Sequence, residues 1–291
     1  MTKTTVDGLQ NENSMLDTEV LDVLHSQLQG KRKISFLVGA GLSAESGIPT
    51  FRDADGFWTI GSKNFTPQEM GTLQMFNVNA HQVWNWYLYR INLCQQARPN
   101  PGHFALANIQ QLIPERFALI SQNVDGLHFQ TPLDVSQLYL IHGDLRYMRC
   151  SADCSNELYP IPTELLTRGQ QTHLHVDEVK LLSCPQCAEL TRPHVLWFDE
   201  YYNQKFYKLD SVLRIAKETG LLFLVGTSGA TNLPKRIVDT VLAKSSFVVD
   251  INPRENEFTR QLDKAKNGYW IQGKSGEVLP LIEAQVRNFL F

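Results

Sequence analysis

Five short apolar runs constrain this chain more than any other feature: ISFLVG (34–39), FALIS (117–121), LYLI (138–141), LLFLVG (221–226) and SFVVDI (246–251). Most are continuous in hydrophobicity rather than alternating, as strands buried on both faces require. Each ends at glycine or is followed by hydrogen-bonding residues. Helical patterns fall near 16–29, 80–96, 103–112, 205–217, 233–243 and 278–290. Strands alternating with helices predict an α/β class, with a parallel sheet covered by helices. In such sheets ligands bind outside the carboxyl ends of the strands, so the residues that follow each run are the first candidates for a site.

Two regions break the rhythm. Residues 59–100 show no strand and carry an aromatic helix, HQVWNWYLYRINLC; residues 146–192 are irregular and bear cysteines. Both read as inserts forming a smaller lobe. The expected division is a mobile tail at 1–15, a large domain from 16–58, 101–145 and 193–291, and a small domain from the helical insert 59–100 and the cysteine insert 146–192.

Composition excludes several classes. Hydrophobic residues make up 43 % and charged residues 20 %, enough for a sizeable core. A net charge of −3 gives no ground for bulk binding to nucleic acid or an anionic membrane. No run of about 18 apolar residues predicts a transmembrane helix. The polar opening MTKTTVDGLQNENSM lacks the apolar centre of a secretory signal, so a cytoplasmic location is expected. Cysteines in a reducing compartment favour metal over disulfides. Cys150 and Cys154, in CSADC, and Cys184 and Cys187, in CPQC, form two close pairs suited to one structural zinc ion. Cys94 lies among aromatics on a helix and reads as core.

The remaining motifs follow strand ends. In FLVGAGLSAESGIPTFRDADGFW, Gly39, Ala40 and Gly41 enter a turn in which small residues let the backbone approach a pyrophosphate. Taken alone, the same glycines also fit a plain tight turn. Phe51 and Arg52 suggest a flap over a bound ring, and no acid lies about 20 residues on to hold ribose hydroxyls as in a hydride-transfer site. In SQNVDGLH, Asn123 and Asp125 alternate and so share a side, a pair matched to a carboxamide; an Asx turn is the equal alternative. His142 ends LYLIH before Gly143, where a general base or a structural histidine both fit. RPHVLWFDE (192–200) is an extended run that either receives a peptide strand or joins two lobes.

In their joint order, the motifs GAGLSAESGIPTFR, QNVD, HG, the cysteine pairs, RPHVLWF, GTS and IN resemble the sirtuin family from about residue 30 to the end of the chain. The resemblance implies a Rossmann-like large domain, a zinc-bearing small lobe and an NAD-dependent protein-lysine deacylase acting on acyl-lysine proteins or peptides. It implies a loop that bends NAD so that nicotinamide leaves and the acyl oxygen attacks the ribose carbon. By the same resemblance, Gly39, Ala40, Gly41, Ala44, Ile48, Phe51 and Arg52 look like cofactor-loop contacts, and Gln122, Asn123 and Asp125 like the ribose and nicotinamide pocket. His142 looks like the general base, with Asn123 and Asp125 beside it in the catalytic set. Gly226, Thr227, Ser228, Asn252 and Ser275 look like adenosine-side contacts, and Val195 and Phe198 like substrate contacts.

Tyr87 and Arg90 stand three apart on the aromatic helix and share a face. Class III sirtuins carry a similar Tyr-x-x-Arg that binds acidic acyl groups, which implies a preference for succinyl- or malonyl-lysine. An amphipathic helix with a snorkelling arginine is the plain alternative. Two departures bear on the peptide. Asp199 stands where the family commonly has glycine, a change expected to narrow the channel or disfavour acidic peptides, and NPREN departs after the IN pair. Asp199 keeps open an NAD glycohydrolase or mono-ADP-ribosyltransferase that uses the same cleavage. A non-catalytic binding module fits poorly with an intact Asn123, Asp125 and His142.

Overall fold

The computed structural model describes residues 16–49, 58–60, 62–167, 169 and 173–291. The expected tail at 1–15, Phe51 and Arg52 lie outside the described residues. The first half of the chain runs α1 (Thr18–Gln29), β1 (Lys33–Val38), α2 (Ala40–Ala44), β2 (Trp58–Ile60), β3 (Lys63–Phe65), α3 (Pro67–Met70), α4 (Leu73–Gln96), α5 (Pro101–Leu112) and β4 (Phe117–Ser121). Then come β5 (Leu138–Leu140), β6 (Gly143–Cys150), β7 (Tyr159–Pro160), α6 (Val176–Lys180), β8 (Thr191–Val195), α7 (Gln204–Tyr207) and α8 (Leu209–Glu218). The last elements are β9 (Thr219–Val225), α9 (Asn232–Leu242), β10 (Phe247–Asn252), α10 (Glu257–Leu262), β11 (Gly268–Gln272) and α11 (Ser275–Leu290).

Six parallel strands form one sheet in the order β11-β10-β9-β1-β4-β5. Counted along the chain this is the doubly wound Rossmann arrangement, whose topological switch lies between β1 and β9. The two-residue period of a strand explains its sandwiching. Ile34, Phe36 and Val38 of β1, with Phe223 and Val225 of β9, face a core shared with α1, α5 and α11. Leu37, Leu222, Leu224 and Val248 face the opposite core, with α8, α9 and α10. Every position of β4, β9 and β10 is buried, which is why these strands appear in the sequence as unbroken apolar runs.

Helix ends follow local chemistry. Asp17 caps α1 by accepting from the Glu19 N–H. Asn100 caps α5, with Pro101 in the first turn, and its Nδ2 also donates to the Leu42 carbonyl at 2.7 Å, tying α5 to the glycine turn.

The inserts are more regular than the sequence suggests. The stretch expected to lack strands holds the antiparallel pair β2–β3, whose three-residue strands are too short to show a pattern. The cysteine insert contributes to a three-stranded antiparallel sheet in the order β7-β6-β8. β6 escaped notice because Asp144, Arg146 and Arg149 interrupt its hydrophobicity. A third core, distinct from the two sheet faces, packs α4 against Leu145, Met148, Val195 and Trp197. Asn79 breaks the α4 backbone (φ −150°, ψ 60°), so the helix expected at 80–96 is the part beyond that kink. β11 is an edge strand only partly buried, and it too was missed.

Candidate active site

The switch point brings two glycine turns together. The Gly39 N–H donates to Val225 O and the Gly41 N–H to Gly226 O, both at 2.9 Å. Gly226 sits at φ 57°, in the left-handed region. A Cβ on Gly41 would lie 2.6 Å from Gly226 Cα, closer than atoms pack, so glycine is required by backbone contact. Ala40 opens α2 and Ala44 closes it, so the glycine turn passes directly into the helix.

Beside this turn, the residues after β4 form one polar cluster. Asn123 Nδ2 donates at 3.0 Å to both Gly39 O and Ser43 Oγ. Ser43 Oγ donates to Asp125 Oδ2 at 2.7 Å, and Asp125 Oδ1 accepts from the Leu127 N–H. Gln122 Nε2 reaches Thr227 Oγ1 at 2.8 Å. Asp125 therefore does close an Asx turn, and the same carboxylate is held by Ser43. Asn252, at the end of β10, donates to Thr227 O at 3.3 Å. Ser275 opens α11 and donates to Glu45 Oε1 at 2.8 Å, which also accepts from the Gly276 N–H.

His142 sits between two partners. Its Nδ1 lies 3.0 Å from Gln122 O and its Nε2 lies 2.8 Å from the Tyr202 hydroxyl. A carbonyl only accepts, so Nδ1 carries the proton, and the bare Nε2 accepts from the phenol. Burial lowers the His142 pKa to about 4, against the opposing effect of the Gln122 carbonyl. The imidazole is therefore neutral near pH 7, the state a general base needs. Burial pushes the Tyr202 phenol up to about 12, so it keeps its proton.

The four cysteines converge. Cys150 and Cys187, and likewise Cys154 and Cys184, stand 3.5 Å apart at sulfur, and all four sulfurs lie within 4.8 Å of one another. A tetrahedral zinc with bonds of about 2.3 Å needs sulfurs about 3.8 Å apart, so one structural zinc ion fits. Each pair lies in a tight turn with one residue in the left-handed region, Asp153 (φ 50°) and Ala188 (φ 64°).

A model of the Sir2 family matches residues 39–232, more than half of the chain. The chain belongs to the Sir2 family. Among its relatives, an NAD-dependent protein deacylase of Leptospira interrogans is 39 % identical over 249 residues, covering 86 % of this chain and 91 % of that protein. One from Pyrococcus abyssi is 33 % identical over 271 residues, covering 93 % and 99 %. Among solved structures, a Sir2 homologue–NAD complex superposes with a TM-score of 0.76 at 28 % identity, covering 95 % of this chain and 96 % of that one. A mutant Sir2 homologue in complex with 2'-O-acetyl ADP ribose gives 0.76 at 29 % identity, covering 94 % and 98 %.

In this Sir2 protein the second group of expected residues lies on α4 and after β8. Tyr87 and Arg90 are buried, at 4 % and 8 % exposure. Tyr87 Oη accepts from Trp197 Nε1 at 3.0 Å, and burial raises its pKa well above the usual phenol value. Trp197 is fixed in turn: Arg192 stacks on its ring at 3.4 Å and bridges to Glu200, which accepts from the Trp197 N–H. Val195 ends β8 and is buried, Phe198 is 53 % exposed, and Ile48 packs in the α4 core. The RPHVLWF run is thus an end strand of its sheet, paired with β6.

Asp199 does something the sequence did not suggest. Its carboxylate accepts from the Leu73 and Gln74 N–H groups at 2.7 and 3.0 Å, capping α4. Thr72 takes the next N–H. Sequence reasoning also passed over Ser43, Glu45, Trp197 and Tyr202 as site neighbours. Ser43 and Glu45 lie inside the quoted motif, but Tyr202 had no signal: it reaches His142 across 60 residues.

Proposed function

We propose that this chain is an NAD-dependent protein-lysine deacylase that prefers succinyl or malonyl groups over acetyl. Sir2 membership and relatives named NAD-dependent protein deacylase support the reaction class. The observation that carries it is that Asn123 and Asp125 bond the turn from Gly39 to Ser43, while a neutral His142 is held against the neighbouring Gln122 carbonyl, at the carboxyl ends of β1, β4 and β5.

The amide, hydroxyl and carboxylate groups there fit a dinucleotide ending in a carboxamide. NAD, when bound, supplies the ADP-ribose that accepts the acyl group, with nicotinamide as the leaving group. Asn123 and Asp125 orient the carboxamide and ribose, and His142 takes a hydroxyl proton at Nε2. Gly39, Ala40, Gly41, Ala44 and Ile48 form the loop side. Gly226, Thr227, Ser228, Asn252 and Ser275 form the adenosine side. The acyl-peptide pairs along the β8 exit, with Val195 and Phe198 beside it.

Tyr87 and Arg90 carry the acyl preference. In general a guanidinium can grip a carboxylate through two parallel N–H groups, and a phenol three residues away on the same helix can add a third donor. Arg90→Met should reduce desuccinylation roughly 10- to 100-fold, the strength of a charge-assisted bond, and spare deacetylation. Equal losses for both acyl groups would defeat the preference. The glycohydrolase or ADP-ribosyltransferase reading rested on Asp199 and loses that motive, because the carboxylate serves α4. Nicotinamide release that proceeds at full rate without acyl-peptide would restore it.

A further inference from the structure

We propose that Tyr202 is a positioning residue that holds the Nε2 lone pair of His142 closed until a substrate hydroxyl displaces the phenol. The inference deepens the reading of His142 as the base and rests on it. The tautomer is dictated by the Gln122 carbonyl at 3.0 Å from Nδ1, so Nε2 is the nitrogen free to accept a proton. That nitrogen is occupied by Tyr202 Oη at 2.8 Å. The phenol is anchored. Its ring packs with Leu209 and Leu213 against the core beneath the sheet, and lies 5.8 Å from the imidazole between centroids. Nearby, the Thr231 hydroxyl donates to Gln122 Oε1 at 3.4 Å. Gln122 and Tyr202 thus hold both ring nitrogens, from the loops after β4 and after β8.

Burial and the Gln122 carbonyl are the influences that set the His142 ionisation, and Tyr202 is the ionisable side chain in contact with it. A hydroxyl that donates to the bare nitrogen favours the neutral ring and opposes its protonation. It also competes with the substrate hydroxyl for the same lone pair. Removing it should therefore ease binding and raise the His142 pKa in the free enzyme alone, because the phenol is already displaced in the ternary complex.

The test is Tyr202→Phe, which keeps the ring. KM for NAD should fall by about 2- to 12-fold, the net worth of one neutral hydrogen bond, with kcat little changed. The acid limb of kcat/KM should move to higher pH and that of kcat should stay, since the first reports the free enzyme and the second the complex. A raised KM, a lowered kcat, or both limbs unmoved would overturn the proposal. His142→Ala run beside it separates the two readings. If that variant still removes the acyl group from peptide at the wild-type rate, the base assignment fails; if it loses deacylation while Tyr202→Phe behaves as wild type, only the role of Tyr202 fails. In the unsubstituted protein, ADP-ribose should shift the ¹⁵N resonance of His142 Nε2 and leave Nδ1 in place. An unmoved Nε2 resonance in the saturated complex would also overturn it.

Discussion

Every position of β9 is buried and apolar apart from Thr219 and Gly220, whereas β6 carries Asp144, Arg146 and Arg149 within eight residues. The six-stranded sheet is stabilised by two apolar layers, one on each face. The three-stranded sheet instead holds its charges in pairs: Arg146 with Asp144, Arg149 with Asp153, Arg192 with Glu200. Ion pairs of this kind contribute little net stability, because desolvation offsets much of the Coulomb gain. The smaller sheet rests on the α4 core on one side, and the four cysteines are placed to give it a second source of order.

Metal removal is the strongest way to break the comparison. Structural zinc in small domains carries about 10–16 kcal/mol of folding free energy. Chelation should unfold the segment around Cys150–Cys154 and Cys184–Cys187 while leaving β1, β4 and β9 folded. Hydrogen exchange is the measurement: protection should vanish in β6 and β8 and persist in β9. Equal protection in both sheets after the metal is gone would mean that the ion pairs and the α4 core suffice.

The reverse perturbation acts on the large sheet. Gly41→Ala places a methyl 2.6 Å from Gly226 Cα and 2.8 Å from its carbonyl oxygen, both backbone atoms with nowhere to go. Overpacking of this sort costs about 1–3 kcal/mol. The melting temperature should fall by several degrees and NAD affinity should fall with it, while zinc content stays at one per chain. Unchanged NAD affinity would show that the close approach of the two turns serves folding only.

The same contrast decides what was legible in the sequence. Buried parallel strands advertise themselves, so ISFLVG, FALIS, LLFLVG and SFVVDI coincide with β1, β4, β9 and β10 to within two residues, and LYLI marks β5 although that edge strand is short and only partly buried. The cysteine pairs were legible because ligand spacing is local. β6 was not, since Asp144, Arg146 and Arg149 interrupt its apolar run, although they pair with one another and with Asp153 close by in sequence. β2, β3 and β11 were missed because they are short or partly exposed. At the site, Asn123, Asp125 and His142 sit directly after strands, whereas Tyr202 and Trp197 act through contacts 60 and 110 residues away in sequence. No local pattern carries such contacts.

Asp199 gives the smallest expected effect and the sharpest contrast between reading the sequence and reading the structure. As a departure from a glycine, it suggested a charge in the way of a peptide. In the fold, its two oxygens accept the first two N–H groups of α4, where a carboxylate also meets the positive end of the helix dipole. Asp199→Gly should therefore cost about 1 kcal/mol, the usual worth of a lost cap. In a chain of this size that lowers the melting temperature by roughly 2–4 °C. The kink at Asn79 separates the capped turn from the part of α4 that carries Tyr87 and Arg90, so KM for acyl-peptide should change little. Asp199→Asn, which keeps one accepting oxygen, should fall between. If the glycine variant instead keeps its melting temperature and turns over acetyl-peptide about tenfold faster, Asp199 governs the substrate after all, and the cap is incidental to it.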